Sequence, residues 1–202
     1  MTHSDDAALR PWQVMLGGIC ALLLAIGIAR FAYTPLLPLM QTQAGLSDAA
    51  GGWLATANYL GYMSGALLAA SLSSLQLKFR LYRIGVVLAL VSTFWMALTQ
   101  DLATWAALRY VAGLSSAAGM LLASGLVLNW LMRHGHRAEL GIHFSGIGLG
   151  IIVSGVVVMG LSRLQLDWAT QWQFFAAFGL LLAVPAWAWV PPPAIASTAS
   201  VS

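Results

Sequence analysis

Long runs of apolar residues, separated by short polar connections, dominate this sequence. A helix that spans a membrane needs about 20 mainly apolar residues, and six runs approach or exceed that length. We therefore predict an all-α integral membrane fold of six transmembrane helices. The predicted helices are Trp12–Met40, Gly52–Ser74, Leu81–Thr99, Leu102–Leu131, Leu140–Leu161 and Trp172–Val190.

Capping residues and prolines mark the expected ends of these helices. Ser47 or Asp48 is expected to cap the start of the second helix, because its side-chain oxygen accepts a free backbone N–H. Pro35 and Pro38 are expected to kink or end the first helix, and the prolines at 191–193 to stop the sixth. All nine tryptophans fall near proposed helix ends, as aromatic belts at membrane interfaces predict.

Basic residues lie mainly on one side of the predicted membrane. Six of them fall before the first helix or in the loops after the second and fourth, whereas Arg163 stands alone on the other side. Under the positive-inside rule both termini are cytoplasmic, as in a multi-pass protein of a bacterial inner membrane. Residues 1–11 are then a cytoplasmic segment, residues 12–190 the bundle, and residues 191–202 a flexible cytoplasmic tail of linker composition.

Composition supports the membrane prediction and excludes several classes of protein. The chain is 60% hydrophobic and 7% charged, whereas soluble domains carry about 25% charged residues. The few basic residues form no long tract, so we predict no nucleic-acid partner. Cys20 is the single cysteine and excludes an internal disulfide or a CxxC site. No pattern indicates a metal, a cofactor or a catalytic constellation, and we expect no enzyme.

Two arginines, Arg30 and Arg109, lie deep inside apolar helices, while all six carboxylates fall near helix ends. A charge at membrane depth costs about 2.5–3.5 kcal/mol on insertion scales and usually faces a cavity or a partner. From the 1.5 Å rise per residue, Arg30, Arg109 and Asn58 each lie roughly 9–12 Å below the outer surface. They are expected to form one polar layer.

Tyrosines share the faces of this layer, because residues three or four apart on a helix are neighbours. Tyr33 follows Arg30 by three, Tyr62 follows Asn58 by four, and Tyr59 is adjacent to Asn58. We interpret the set as a substrate-binding or coupling site, in which guanidinium groups hold a carboxylate. The alternative is that Arg30 snorkels outward and Arg109 bonds backbone carbonyls of the first helix.

Three further features have both a functional and a structural interpretation. His143, near the inner end of the fifth helix, either relays protons for coupling or is simply hydrogen-bonded at a helix end. Lys78, Arg80 and Arg83 form a candidate gating loop, or bind acidic lipid heads, or only set topology. The GxxxG pair in the second helix, at residues 61 and 65, is a sliding or dimer face, or packs inside the bundle.

Two stretches resemble a known family. The residues GIARFAYTPLLPLM at 27–40 and GWLATANYLGYMSG at 52–65 are similar to the first two helices of the YbfB/YjiJ-type branch of the major facilitator superfamily. Arg109-x-x-x-Gly113 resembles the helix-four motif associated there with proton coupling. The resemblance implies a twelve-helix fold of two bundles, each with two inverted three-helix repeats, of which this chain is the N-terminal half.

The resemblance and the polar layer together predict secondary transport of a small, anionic organic solute by alternating access. We expect either a truncated product that lacks a C-terminal six-helix half or a half-size protein that works as a homodimer. The alternative is a non-transporting six-helix remnant or an accessory membrane subunit. In either case the lipid bilayer is a partner.

Overall fold

The structure, a computed structural model, describes residues 9–137 and 140–193, and every regular element in these ranges is helical. Long apolar helices make this an all-helical membrane architecture. The α-helices are α1 Pro11–Leu22, α2 Tyr33–Ala44, α3 Asp48–Ser71, α4 Leu75–Met96, α5 Leu102–Ala117, α6 Ser124–Arg133, α7 Leu140–Arg163 and α8 Trp168–Trp189. Two π-helical stretches, the first π segment Leu23–Phe31 and the second π segment Ala118–Ala123, lie within the first and fourth predicted spans.

The first span runs unbroken in its helical course from Pro11 to Ala44, four residues past the predicted end. Pro38 lies inside α2 and does not end it. The span stops at Gly45, whose φ of 69° is in the left-handed region that glycine adopts at helix C-termini. The irregularity that the prolines were expected to introduce lies ahead of them, in the first π segment.

Side-chain caps set the start of four later helices, α3, α4, α5 and α8. The Ser47 hydroxyl accepts the Ala50 N–H at 3.2 Å, which decides between the two expected caps of α3. Asp101 accepts from Thr104, and Asp167 accepts from Thr170, each at 2.7 Å. Hydrogen bonds from the Thr104 hydroxyl and amide lower the pKa of Asp101, and the Thr170 amide lowers the pKa of Asp167.

Three predicted starts are corrected by these caps. The cap at Ser47 starts α3 at Asp48, four residues before the predicted Gly52. The cap at Asp167 starts α8 at Trp168, four residues before the predicted Trp172. Ser74 accepts the Leu77 N–H at 3.3 Å and starts α4 at Leu75, six residues before the predicted Leu81. In each case the composition of the first turn, which is not continuously apolar, predicts a loop, whereas a capped helix tolerates polar residues there.

Within the described ranges, five helical runs are long and apolar enough to cross a membrane: Pro11–Ala44, Leu75–Met96, Leu102–Arg133, Leu140–Arg163 and Trp168–Trp189. The remaining long helix, α3, has 24 residues and is therefore roughly 36 Å long, enough to span a bilayer.

Small residues let the helices of this bundle approach at the backbone. A Cβ at Gly61 would meet the carbonyl of Tyr110, and one at Gly113 would lie 2.7 Å from the Tyr62 nitrogen, so α3 and α5 are in backbone contact. Gly27 of the first π segment meets Gly150 of α7 in the same way. The GxxxG pair of α3 therefore packs inside the bundle, the second of the two interpretations.

The first π segment occupies the middle of the bundle. It contacts α4, α5, α7, α8 and the second π segment. Six of its nine residues are buried. Its hydrogen-bonding groups therefore have to find partners within the protein, and these partners build the site described next.

Candidate functional site

Arg109 connects α5 to the first π segment. Its side chain is 2% exposed, and its two terminal nitrogens donate to the carbonyl oxygens of Ala29 at 2.8 Å and Arg30 at 2.9 Å. The guanidinium carbon also lies 4.5 Å from the centre of the Tyr33 ring. Carbonyl dipoles and an aromatic face thus stabilise a buried cation. This is the arrangement expected under the alternative interpretation, in which Arg109 bonds the backbone of the first helix.

Two serines hold the same segment by the same chemistry. The Ser116 hydroxyl of α5 donates to the Ala25 carbonyl at 2.7 Å, and the Ser154 hydroxyl of α7 donates to the Gly27 carbonyl at 2.8 Å. Together with Arg109, side chains from two neighbouring helices reach four carbonyls of the first π segment. π-Helical turns often occur at functional sites, and here the irregular backbone is fixed by three donors.

Arg30, at the end of the first π segment, has a different environment. It is partly exposed, and its guanidinium carbon lies 4.4 Å from the centre of the Tyr62 ring and 5.2 Å from that of Tyr59. Both distances are within the range of cation–π attraction. The Nε of both arginines lacks a hydrogen-bond partner, but Arg109 uses its terminal nitrogens on two carbonyl oxygens, whereas the contacts of the Arg30 guanidinium are with aromatic rings. The Arg30 guanidinium is therefore more available to a ligand than the Arg109 guanidinium.

Asn58 and Tyr33 complete the polar layer. The Asn58 side-chain amide donates to the Arg109 carbonyl at 2.9 Å, and the Tyr33 hydroxyl donates to the Gly51 carbonyl at 2.9 Å. Both side chains are almost fully buried. They join α3 to α5 and to the first span, and they position the tyrosines of α3 beside Arg30.

These side chains surround a small cleft of about 30 Å³, whose lining includes Arg30, Tyr33, Asn58, Tyr59 and Arg109. That volume suits one or two water molecules. It is too small for an organic solute. Tyr59, at the edge of the cleft, is 57% exposed, so the cleft lies at the surface of the bundle and is open to whatever packs against that face.

No carboxylate neutralises either arginine within the described ranges. The three carboxylates in those ranges all lie at helix starts: Asp101 and Asp167 are N-caps, and Asp48 is the first residue of α3. A carboxylate near a helix N-terminus is stabilised by the helix dipole and is kept at the membrane edge. The polar layer therefore has a net positive charge.

Among the predicted site residues, the structure brings six together: Arg30, Tyr33, Asn58, Tyr59, Tyr62 and Arg109. His143 is separate. Its ring packs against Gly18, where an added Cβ would collide with it. Gly18 is twelve residues before Arg30, which places the two residues roughly 18 Å apart along the first span. The Nε2 of His143 is 2.8 Å from the Ser124 hydroxyl oxygen, and the histidine is fully buried.

The predicted gating residues, Lys78, Arg80 and Arg83, do not form a loop; they lie in the first turns of α4. Arg83 packs between aromatic rings, with its guanidinium carbon 4.7 Å from the centre of Phe79 and 4.4 Å from that of Trp187. These contacts join α4 to α8. A latch that opens and closes around Arg83 would have to break them.

The sequence analysis did not predict Ser154 or Ser116 as site residues. Ser154 follows Gly150 by four on α7, so the two share a helix face that packs on the first π segment. That spacing, a small residue and a hydroxyl on one face of an apolar helix, is the only local signal. The acceptor carbonyl is 127 positions away in the sequence.

A family model described as "Uncharacterised MFS-type transporter YbfB" matches residues 22–202. The chain belongs to this family of MFS-type transporters. The resemblance drawn from the first two helices is thereby confirmed, and with it a multi-pass membrane protein of a transport family that acts on small molecules in a lipid environment.

One curated relative gives the same indication. "Uncharacterized MFS-type transporter YceJ" of Bacillus subtilis (strain 168) is 32% identical over 97 residues. The aligned part is 48% of this chain and 25% of the relative. Because the matched part is only a quarter of the relative's length, the activity of a whole MFS-type transporter can be applied to this chain only as a proposal.

Proposed function

We propose that this chain is one six-helix bundle of a secondary transporter for a small, anionic organic solute, with Arg30 as the residue that meets the solute. Family membership supports transport. The observation that supports an anion is the partly exposed Arg30 guanidinium, which has no carboxylate partner in the described ranges and is held between Tyr59 and Tyr62. Arg109, occupied by backbone carbonyls, positions Arg30 and leaves it free to bind.

The cleft beside Arg30 supports a role as half of a site. It is too small for a solute by itself, and it opens on an exposed face of α3. In this proposal a second bundle packs against that face and completes the cavity near the midplane, and the two bundles rock during alternating access. A second half of the same protein or a second copy of this chain would supply it.

Orientation and coupling follow from the same proposal. The positive-inside bias supports cytoplasmic termini, and in this proposal the membrane is the inner membrane of a bacterial cell. Six spans, with α3 among them, and two inverted three-helix repeats belong to this arrangement. If His143 takes part in coupling, it does so from the inner half of the bundle, where it is buried, hydrogen-bonded to Ser124 and away from the solute.

The experiment is a screen of small carboxylates for thermal stabilisation of the purified protein, followed by uptake into proteoliposomes. A ligand present at 100 times its dissociation constant stabilises by about 2.7 kcal/mol, a readily measured shift. We expect at least one carboxylate to stabilise the wild type and Arg30→Lys to retain part of the effect. Arg30→Gln should lose it, whereas Arg163→Gln, at an exposed position of α7, should not.

A non-transporting remnant or accessory subunit predicts a different result. Neither stabilisation nor uptake would then depend on Arg30. The source of a second bundle is tested by cysteine crosslinking in a Cys20→Ser background. Tyr59→Cys should form a disulfide-linked dimer if two copies meet at this face, and Leu181→Cys, 70% exposed on α8, should not.

A further inference from the structure

An apolar cleft on another face of the molecule is assigned no role by the transport proposal. It has a volume of about 120 Å³ and lies between α3, α4 and the helix formed by α5 and the second π segment. Every residue that lines it is apolar. We call it the α3–α4 groove. Its rim includes Leu68 and Ile84, which are 50% and 52% exposed, so the groove is open to the surroundings of the bundle.

The groove has the dimensions of part of one acyl chain. It follows α3 from Leu72 back to Gly65 and α4 from Leu81 forward to Leu88, which is roughly 10 Å along each helix. One leaflet contributes about half of the 30 Å hydrocarbon core of a bilayer. The groove therefore covers roughly two-thirds of the depth of one leaflet and begins at the α3–α4 connection.

Water is a poor occupant for such a groove. An apolar cavity of comparable size remains dry and binds hydrocarbon, because water finds no polar partners there. The floor is closed by tight helix contacts: a Cβ at Gly85 would meet the Cβ of Ala118, and one at Gly65 would meet that of Ala117. Adjacent helices therefore cannot move in to fill the space, which leaves it accessible to hydrocarbon from the bilayer.

Two basic residues lie near the end of the groove that is closer to the α3–α4 connection. Lys78 precedes Leu81 by three residues and Arg80 precedes Ile84 by four. Because residues two apart do not share a helix face, the two cations lie on either side of the groove's stripe of α4, one turn nearer the start of the helix. The first turn of α4 contains no acidic residue, and a helix N-terminus favours anions over cations. Lys78 ends this first turn and Arg80 follows it, so an anion at the N-terminus of α4 would meet both the helix dipole and these two cations.

No described carboxylate is placed to be that anion. Asp48, Asp101 and Asp167 lie at the starts of α3, α5 and α8. Since α3 and α4 are consecutive antiparallel helices, these starts are at the opposite end of the bundle from the start of α4. The anion expected at Lys78 and Arg80 therefore comes from outside the described part of the chain.

We propose that the α3–α4 groove binds an anionic phospholipid, with one acyl chain between α3 and α4 and the phosphate at the N-terminus of α4 beside Lys78 and Arg80. The acyl chain explains the dry groove, and the phosphate explains the cations at the helix start. The site is independent of Arg30 and of the transported solute.

The proposal is tested with a phosphatidylglycerol that carries a diazirine on its acyl chain, mixed into phosphatidylcholine vesicles containing the intact protein. After irradiation, labelled peptides are mapped by mass spectrometry. We expect labels to concentrate on Gly65–Leu72 and Leu81–Leu88, and unlabelled phosphatidylglycerol to compete for them. Each cation near anionic lipid contributes about fivefold to affinity, so Lys78→Gln with Arg80→Gln should reduce labelling more than tenfold.

Two controls separate a built site from ordinary lipid contact. Arg163→Gln removes an exposed cation at the other end of the bundle and should leave labelling unchanged. Leu68→Trp places a large ring at the groove rim and should exclude the acyl chain, whereas Leu181→Trp, at an exposed position of α8, should not. Both exposed positions accommodate a large side chain without disturbing the core, and size-exclusion chromatography verifies each variant's fold.

Three results would overturn the proposal. Equal labelling of the outward faces of α7 and α8 would mean that the probe reports the bilayer alone. Equal labelling by a phosphatidylcholine probe, unaffected by the double variant, would remove the role of charge. Protection of the groove together with crosslinks between two protomers at α3 and α4 would show that a second copy of the chain is the occupant.

Discussion

The contact between α3 and α5 allows a sharp test of how the polar layer is assembled. Gly113→Ala adds one methyl group between the two helices. That Cβ would lie 2.7 Å from the Tyr62 nitrogen and even closer to the Asn58 carbonyl oxygen, whereas ordinary van der Waals contact begins at 3.4 Å. Both neighbours are backbone atoms that no rotamer change can move, so the helices must separate by more than the roughly 0.7 Å that the Tyr62 nitrogen alone would require.

Such a displacement has a calculable cost. The bond from the Asn58 amide to the Arg109 carbonyl is 2.9 Å, and 0.7 Å more takes it out of hydrogen-bonding range. Overpacking of this kind costs about 1–3 kcal/mol, and an interhelical hydrogen bond in a membrane protein averages about 0.6 kcal/mol. We therefore expect Gly113→Ala to destabilise the protein by about 2–3 kcal/mol and to loosen the tyrosines from Arg30.

The assay is unfolding by titration with sodium dodecyl sulfate in mixed micelles, followed by circular dichroism. Gly125→Ala is the matched control, since Gly125 lies in the same span and a Cβ there meets nothing within 4 Å. It should be neutral or stabilising by up to about 1 kcal/mol, because alanine is the better helix former. If Gly113→Ala unfolds at the same detergent fraction as Gly125→Ala, the close backbone approach has no energetic consequence and the reasoning is wrong.

Two further substitutions test the caps and the π-segment anchors. Asp167→Ala should lower the free energy of unfolding by about 1 kcal/mol, while Asp167→Asn should retain most of the cap. Because the Thr170 amide lowers the pKa of Asp167 in the folded state, the contribution of the carboxylate to stability is complete above roughly pH 4 and is lost as the pH falls through the folded pKa. Unfolding at a series of pH values will show this loss. Ser116→Ala should increase amide hydrogen exchange in the first π segment, since the Ser116 hydroxyl donates to that segment. Ser115→Ala should not, because the Ser115 hydroxyl bonds only within α5. Equal exchange in the two variants would contradict the anchoring role of Ser116.

The sequence predicts the members of the candidate site better than their roles, because the roles depend on contacts between residues far apart in the chain. Arg30 and Arg109 were identifiable because a cation in an apolar helix is costly wherever it stands. Their roles were not, since the acceptors of Arg109 lie 79 and 80 residues away. The same limit applies to His143, whose partner Ser124 lies on another span.

By itself the sequence determined that this is a helical membrane protein, where most of its apolar helices lie and which family it belongs to. Hydrocarbon offers no partner to a free backbone group, so an apolar run has to be helical regardless of its neighbours. The tertiary structure alone decided that two spans contain π segments and that Arg109, Ser116 and Ser154 hold the first of them. Those outcomes depend on which helices approach closely enough to donate a hydrogen bond, and helix approach is set by packing between residues far apart in the chain.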